Sequence, residues 1–567
     1  MFDTFPTDYK KAMDWSWEQF EPYTQHLLDT EIGENNIDAW MRDWSTFRLM
    51  IVELYARLNV NSAVNTEDGE AEAQLKRFMS EIYPQVLRHD FAMNNKLIAS
   101  EIVPDGMEVP MRGVRKQVEL FREDNLPLIE AADNLRIEYS KISGAQTVEW
   151  EGDEKTLQQM SPMLKETDRA RREKAWRLMQ ARILEDREQY DALWVKYMDI
   201  RKQIAHNAGF ESYRDYVWQD LGRFDYTPED ALEFCDAIEQ VVVPALSRLS
   251  EERRQKMGLD TLRPWDMAVD ALGRDAMRPY ETMDDFTAKT ETIFKQVDPV
   301  LGDYFATMRE ENLLDLENRK AKRPGGFCTG FPVSQRPFIF MNAVGLDSDI
   351  RVLLHEAGHA FHGFYCFQEA DYIQQMRAPM EFNEVASMAM ELLASPYLTE
   401  DRGGYFTEAE ADRFRKEHLG GIISFWPYMA VVVAFQHWIY TNHDTASDPA
   451  ACDEKWRELV ARFLPKIDWT GLEDVMINRW RKQLHIFLRP FYYVEYGLAQ
   501  LGAVQVYANA LEDQATALEQ YRSALKLAGT AKLPDLYEAA GVKLAFDAET
   551  LGNAVNLLET QMASFTE

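Results

Sequence analysis

Leu353-Leu354-His355-Glu356-Ala357-Gly358-His359-Ala360-Phe361 is the stretch on which the reading of this chain turns. On a helix, residues four apart share a face, so both imidazoles can meet one ion while Glu356 points at the adjacent open position. Neutral imidazoles and a carboxylate are the usual ligands of zinc. A zinc that keeps its fourth position for water lowers that water's pKa toward about 7. Glu356 can then take the water's proton during attack on a carbonyl and pass it to a leaving amine. The same pattern can also arise as two surface histidines flanking a glutamate. Here Val352, Leu353 and Leu354 precede it and Ala357, Ala360 and Phe361 interleave it, which speaks for a packed helix. Gly358 costs a helix about 1 kcal/mol relative to alanine, so something must approach closely there. Two histidines and a glutamate in an apolar helix are expensive to bury without a partner, and a metal supplies one.

A third ligand has to come from elsewhere. Met380 to Leu393 reads as a second amphipathic helix carrying Glu381, Glu384 and Glu391. All three are candidates, and spacing alone does not choose among them; an acidic residue near a helix N-terminus also has an ordinary role in the helix dipole. His362 is available one turn beyond His359 and reads as a packing or supporting residue. His26, His89, His206, His418, His437 and His443 have no second ligand at useful spacing and read as surface or core residues.

Around these stretches helical periodicity dominates. Segments 15–28, 37–58, 70–87, 164–208, 229–249 and 284–297, and most of the chain from 408 onward, show apolar residues at three- and four-residue steps. No self-similarity at a fixed period points to a solenoid. Strand signals are sparse: 147–150 with the turn-like Glu151-Gly152-Asp153, and 327–331 with 337–341, which read as a small hairpin ending just before the motif helix. The most apolar run, 422–435, is interrupted by Ser424 and Pro427 and reads as a buried core helix too short to span a bilayer.

At 567 residues the chain exceeds what one compact core holds, so two lobes are expected, residues 1–200 and 201–567. The excess of 95 Asp+Glu over 62 Lys+Arg, net −33, argues against non-specific nucleic-acid binding. Four scattered cysteines without CxxC spacing suggest neither a disulfide framework nor a cysteine metal site and fit a reducing, cytoplasmic setting. The N-terminus has no apolar core of a secretory signal, and no membrane role is indicated. There is no GxSxG, no GxxxxGK[ST] and no GxGxxG opening a helix; Gly325-Gly326 leads into a strand-like segment, not a phosphate-binding helix.

HEAGHAFH followed by FNEVASMAMELL, with its glutamate 25 residues after His359, resembles the thimet oligopeptidase and oligoendopeptidase F superfamily of zinc peptidases, in particular the shorter oligoendopeptidase F-like group with the Pz-peptidases. The resemblance picks Glu384 as third ligand and makes Glu391 a residue that orients a ligand. Thermolysin-type and aminopeptidase-type enzymes place that glutamate about five residues earlier, where this chain has Ala378 and Pro379. Residues 323–330 and 336–342 resemble the family's paired strands along the cleft, and 208–215 a segment of its helical region. The resemblance covers roughly residues 110 to 560. It implies a mostly α-helical, two-lobed zincin-type peptidase, with a small β-sheet beside the HExxH helix and a deep channel that admits short peptides. One zinc per chain is implied, with Gly326, Phe327 and Cys328 on the substrate strand. In HIFLRPFYYVEYG it implies that His485 and the tyrosines donate hydrogen bonds, Tyr496 and Tyr492 to the developing oxyanion and Tyr493 to substrate. The expected activity is endoproteolysis of oligopeptides. The rivals are a non-catalytic peptide-binding scaffold and a related zinc carboxypeptidase, which carries an HES-like segment where this chain has NEVAS. Assembly into a homo-oligomer stays open.

Overall fold

A computed structural model describes residues 1–323 and 325–566; Pro324, inside the quoted 323–330 stretch, lies outside the described residues. Helices make up most of it. Segments 15–28, 37–58 and 284–297 fold as helices Trp17–Asp29, Ile37–Val64 and Met283–Val297. Segments 70–87 and 229–249 contain Pro84 and Pro244, and each helix passes its proline through one wide turn instead of ending. There the Tyr83 amide bonds to the Phe78 carbonyl, and the Val243 amide to that of Ile238. Proline lacks a donor and its ring crowds the carbonyl four residues back; the widened turn relieves both. The 164–208 run divides into helices Arg169–Glu185 and Arg187–Asn207. Between them Asp186 is buried, accepting from Gln146 Nε2 at 2.7 Å and Arg182 Nη1 at 2.8 Å. The boundary expected at 200/201 falls inside helix Arg187–Asn207, whose Tyr190, Trp194 and Tyr197 share one core with Leu353, Trp426 and Leu498.

Five short strands are present among the described residues: β1 (Thr147–Trp150), β2 (Asp153–Thr156), β3 (Leu314–Glu317), β4 (Phe327–Phe331) and β5 (Arg336–Ala343). β1 and β2 pair antiparallel around Glu151 and Gly152, both at positive φ. β4 and β5 form the expected hairpin, with Phe327 opposite Phe340 and Phe331 opposite Arg336. β3 joins the other side of β5 in parallel, so the order is β3-β5-β4 and β4, like β3, is an edge strand. The hairpin turn is tied to helix Ile37–Val64 by fully buried Glu53, which accepts from the Ser334 amide at 2.8 Å and hydroxyl at 2.5 Å.

The motif helix, Asp347–Glu369, follows β5 after the connection 344–346. Asp349 fixes that junction: one carboxylate oxygen accepts from the amides of Val344, Gly345 and Leu346 at 2.8–2.9 Å and from the Tyr280 hydroxyl at 2.5 Å. The apolar run 422–435 belongs to helix Glu408–Thr441. By length and composition alone this helix could cross a bilayer, but 72 % of its apolar window is buried inside the protein, as a core helix requires.

Candidate metal and catalytic site

The motif helix lies against the helix Met380–Leu393, and Gly358 is the point of closest approach. A Cβ there would meet the Ala386 carbonyl oxygen and the Ser387 Cα at 2.6 Å, which is the close neighbour the mid-helix glycine called for. This contact brings Glu384 beneath the two histidines. Glu384 Oε2 is 3.5 Å from His355 Nε2 and 3.7 Å from His359 Nε2. One ligand atom from each of His355, His359 and Glu384 lies within 4.8 Å of the others. A tetrahedral zinc with bonds near 2.0–2.1 Å holds its ligand atoms about 3.3 Å apart, so little movement closes the set on an ion.

The other candidate carboxylates have different employment. Glu391, two helical turns after Glu384, accepts from His355 Nδ1 at 2.8 Å, which turns the Nε2 lone pair inward. Its second oxygen is 3.0 Å from His418 Nε2, so His418 is a buried anchor of the ligand-orienting carboxylate. Nothing in the local sequence signals that contact, because His418 arrives on the separate helix Glu408–Thr441. Glu381 faces away toward Arg223 and Tyr226. His362 is buried with Nε2 unpartnered and its ring edge-on to Phe382, a packing role.

The electrostatics of the cluster are those of a cation site. Burial works against the charge on His355, but its hydrogen bonds to Glu384 and Glu391 win and raise it to about 10. Burial lowers His359 to about 4, leaving it neutral and able to ligate. Burial would raise Glu384, yet the two imidazoles hold it below the ordinary carboxylate range. Glu356 is pushed up to about 7, chiefly by burial; a cation between the histidines would draw it back toward the ionised form a base needs.

The segment 485–496 brings further donors to the same place. The Tyr492 hydroxyl is 3.4 Å from Glu384 Oε1, and Tyr496 stands edge-on to Tyr492 with ring centroids 5.2 Å apart. Burial, then the nearby Glu384, raises Tyr496 to about 12, so it keeps its proton to donate. Tyr493 packs on His485, Phe425 and Tyr428. Burial lowers His485 to about 4. Its Nδ1 faces the Gln483 amide nitrogen at 2.9 Å, and Gln483 Oε1 accepts from Tyr428 at 2.7 Å. Since that amide nitrogen can only donate, the His485 proton sits on Nε2. Gln483 went unremarked in the sequence although it lies only two residues before His485. Cys328 of β4 is partly buried close to Glu356, and its thiol pKa is pushed up, chiefly by desolvation and then by Glu356. Phe327 lies beside it in the strand, and Gly326 immediately precedes the strand.

The model of the family described as Peptidase family M3 matches residues 162–554. The chain belongs to peptidase family M3. Among curated relatives, the oligoendopeptidase F homolog of Borreliella burgdorferi is 22 % identical over 333 residues, covering 56 % of this chain and 53 % of the relative. That of Lactococcus lactis subsp. lactis is 22 % identical over 389 residues, covering 66 % and 61 %. The chain thus spans somewhat over half the length of these relatives. Solved structures match along nearly the whole fold. Pz peptidase A, in a structure with an inhibitor, superposes with a TM-score of 0.87 at 24 % identity, covering 100 % of this chain and 99 % of that one. A putative oligoendopeptidase F gives 0.87 at 25 % identity, with 99 % and 98 % covered.

Proposed function

We propose that this M3 member is a zinc-dependent endopeptidase acting on short peptides, with His355, His359 and Glu384 holding the metal and Glu356 as general base. The observation that carries the reading is the meeting of three ligand atoms from two helices, with Glu391 orienting one histidine and Glu356 beside the cluster. The donor set fits zinc: two imidazoles, one neutral by burial, and a carboxylate held ionised. When bound, zinc supplies polarisation of the scissile carbonyl and acidification of a water.

The chain's own residues do the rest. Glu356 accepts the water's proton at its carboxylate and returns it to the leaving nitrogen. His485 Nε2–H and the hydroxyls of Tyr492 and Tyr496 donate toward the oxygen on which negative charge develops; one such donor is worth about 3 kcal/mol. An extended peptide pairs its main chain with the edge of β4 at Phe327 and Cys328 and with Gly326 just before it, with Tyr493 also toward the substrate. A cytoplasmic setting belongs to this reading and is supported by four cysteines that are all free.

The test is metal content by elemental analysis together with cleavage of a quenched-fluorescent peptide of about ten residues, with and without chelator. One zinc per chain and internal cleavage abolished by chelation are expected. Glu356→Gln should keep the zinc and lose almost all turnover. Full cleavage by that variant removes Glu356 as base, and no cleavage by zinc-loaded wild type overturns the peptidase reading.

A further inference from the structure

Arg223 lies just after helix Tyr213–Asp220 and is almost wholly buried. Its Nη2 donates to the Phe491 carbonyl at 2.7 Å and to Glu495 Oε1 at 2.6 Å, and its Nε is 3.4 Å from Glu381 Oε1. The Tyr226 hydroxyl donates to that same Glu381 oxygen at 2.7 Å. One guanidinium therefore touches three places: the turn before the helix Tyr493–Glu512, the first turn of that helix, and the first turn of the helix that carries Glu384.

The turn needs such a hold. Phe491 sits at φ +64°, a left-handed conformation that a bulky residue adopts only under strain its surroundings must hold. Its carbonyl is held by Arg223, and its amide faces Gln436 Oε1 at 3.3 Å. Tyr492 follows Phe491 directly, and Tyr496 follows Glu495. The arrangement is poor as a device for stability alone. Two buried carboxylates share one guanidinium, while Arg223 Nε and Nη1 and Glu495 Oε2 have no hydrogen-bond partner. A partly satisfied buried ion cluster is commonly no more stable than apolar packing in the same volume. What it does provide is a defined geometry between two elements of the site.

We infer that Arg223 is a positioning residue that sets Tyr492 and Tyr496 in register with the Glu384 helix. The inference rests on the proposed reading of those tyrosines as donors, and its consequence is specific. Without the guanidinium the Phe491 turn relaxes, and each tyrosine hydroxyl loses its aim while the zinc ligands, held by Gly358 packing and Glu391, keep theirs.

The experiment is a double-mutant cycle of Arg223→Met against Tyr496→Phe in the zinc-loaded chain, following cleavage of the fluorescent peptide. Tyr496→Phe is expected to lower kcat about 100-fold in the wild-type background. In the Arg223→Met background it should cost less than about threefold, with KM within about twofold throughout. Arg223→Lys, which keeps one donor for the Phe491 carbonyl, should recover part of kcat. Losses that multiply independently overturn the inference, because a merely structural arginine gives additive effects. If Arg223→Met does not fold, Glu495→Gln replaces it in the same cycle and the same criterion applies. A second readout needs no turnover: 3-fluorotyrosine placed at position 496 should give one sharp 19F resonance in the otherwise wild-type chain and a broadened or divided one without Arg223. Should the zinc-loaded wild type cleave nothing, the proposed function is what fails, and an unchanged 19F resonance then decides against the positioning role by itself.

Discussion

Gly358→Ala separates packing from metal geometry more sharply than any change to a ligand. The added Cβ would lie 2.6 Å from two backbone atoms of the neighbouring helix, Ala386 O and Ser387 Cα, where ordinary contact begins near 3.4 Å. Backbone on a packed helix cannot swing aside as a side-chain tip does, so the two helices must part by about 0.8 Å. For stability the consequences oppose each other: overpacking costs about 1–3 kcal/mol, and exchanging glycine for alanine within a helix returns about 1. A modest net loss, up to about 2 kcal/mol, is expected in urea unfolding of the metal-free protein. For the metal nothing opposes the shift. His355 and His359 ride on one helix and Glu384 on the other, and ligand distances tolerate only about ±0.2 Å. The zinc dissociation constant, measured by competition with a chromogenic chelator, should rise at least tenfold while the fold persists by circular dichroism. A dissociation constant and an unfolding midpoint both equal to wild type would refute the argument that this contact sets the ligand spacing.

Other expectations follow from the same geometry. Glu391→Ala leaves His355 Nδ1 and His418 without their shared acceptor, so zinc affinity should fall about 10–100-fold; a change under twofold in chelator competition would show that Glu391 does not orient the ligand. His485→Ala should lower kcat about 100-fold with zinc content unchanged, and unaltered turnover of the fluorescent peptide would remove His485 from the donor set. His437 is buried with neither ring nitrogen partnered, and burial, then Arg214 and Arg223, lowers it to about 3. Its unfolded value is about 6.5, so between these limits only the unfolded chain takes the proton, and stability falls as pH drops through that window by up to about 1.4 kcal/mol per unit. In the metal-free protein, His437→Leu should therefore reduce the stability lost between pH 6.5 and 4.5 by about 2–3 kcal/mol in urea unfolding. An unchanged slope would mean that another group dominates.

The parts of the site that were legible in the sequence are those written in local periods. Two histidines four apart share a face by helix geometry alone, and the aromatic, β-branched run at 327–341 spells a hairpin. The choice among Glu381, Glu384 and Glu391 is not local. Glu384 and Glu391, seven residues apart, fall on one helical face, while Glu381 is turned about 60° from Glu384 toward Arg223. Which face meets the histidines depends on how two helices pack, and Gly358 settles that only once the partner helix is known. His418 and Arg223 come from elements far away in sequence, and no motif announces them. β3 is not legible because the alternation in Leu-Asp-Leu-Glu lasts only four residues and carries no β-branched or aromatic side chain; its partner β5 begins about twenty residues later. The run of helical periodicity over 164–208 divides at Asp186, whose side-chain partners Gln146 and Arg182 lie outside or behind the break.

An open strand edge is ordinarily a hazard, since it offers a second chain of any protein a row of unpaired amides and carbonyls. β4 leaves such an edge, but its five residues extend only about 17 Å, it ends at a turn locked by Glu53, and Gly330 sits in it with no side chain of its own. An intruding sheet would find too little length to grow on, whereas one extended strand could register fully. If a peptide pairs with β4 as proposed, main-chain pairing is indifferent to the identity of alternate side chains, so an edge this short would tolerate many sequences while accepting only a chain already unfolded.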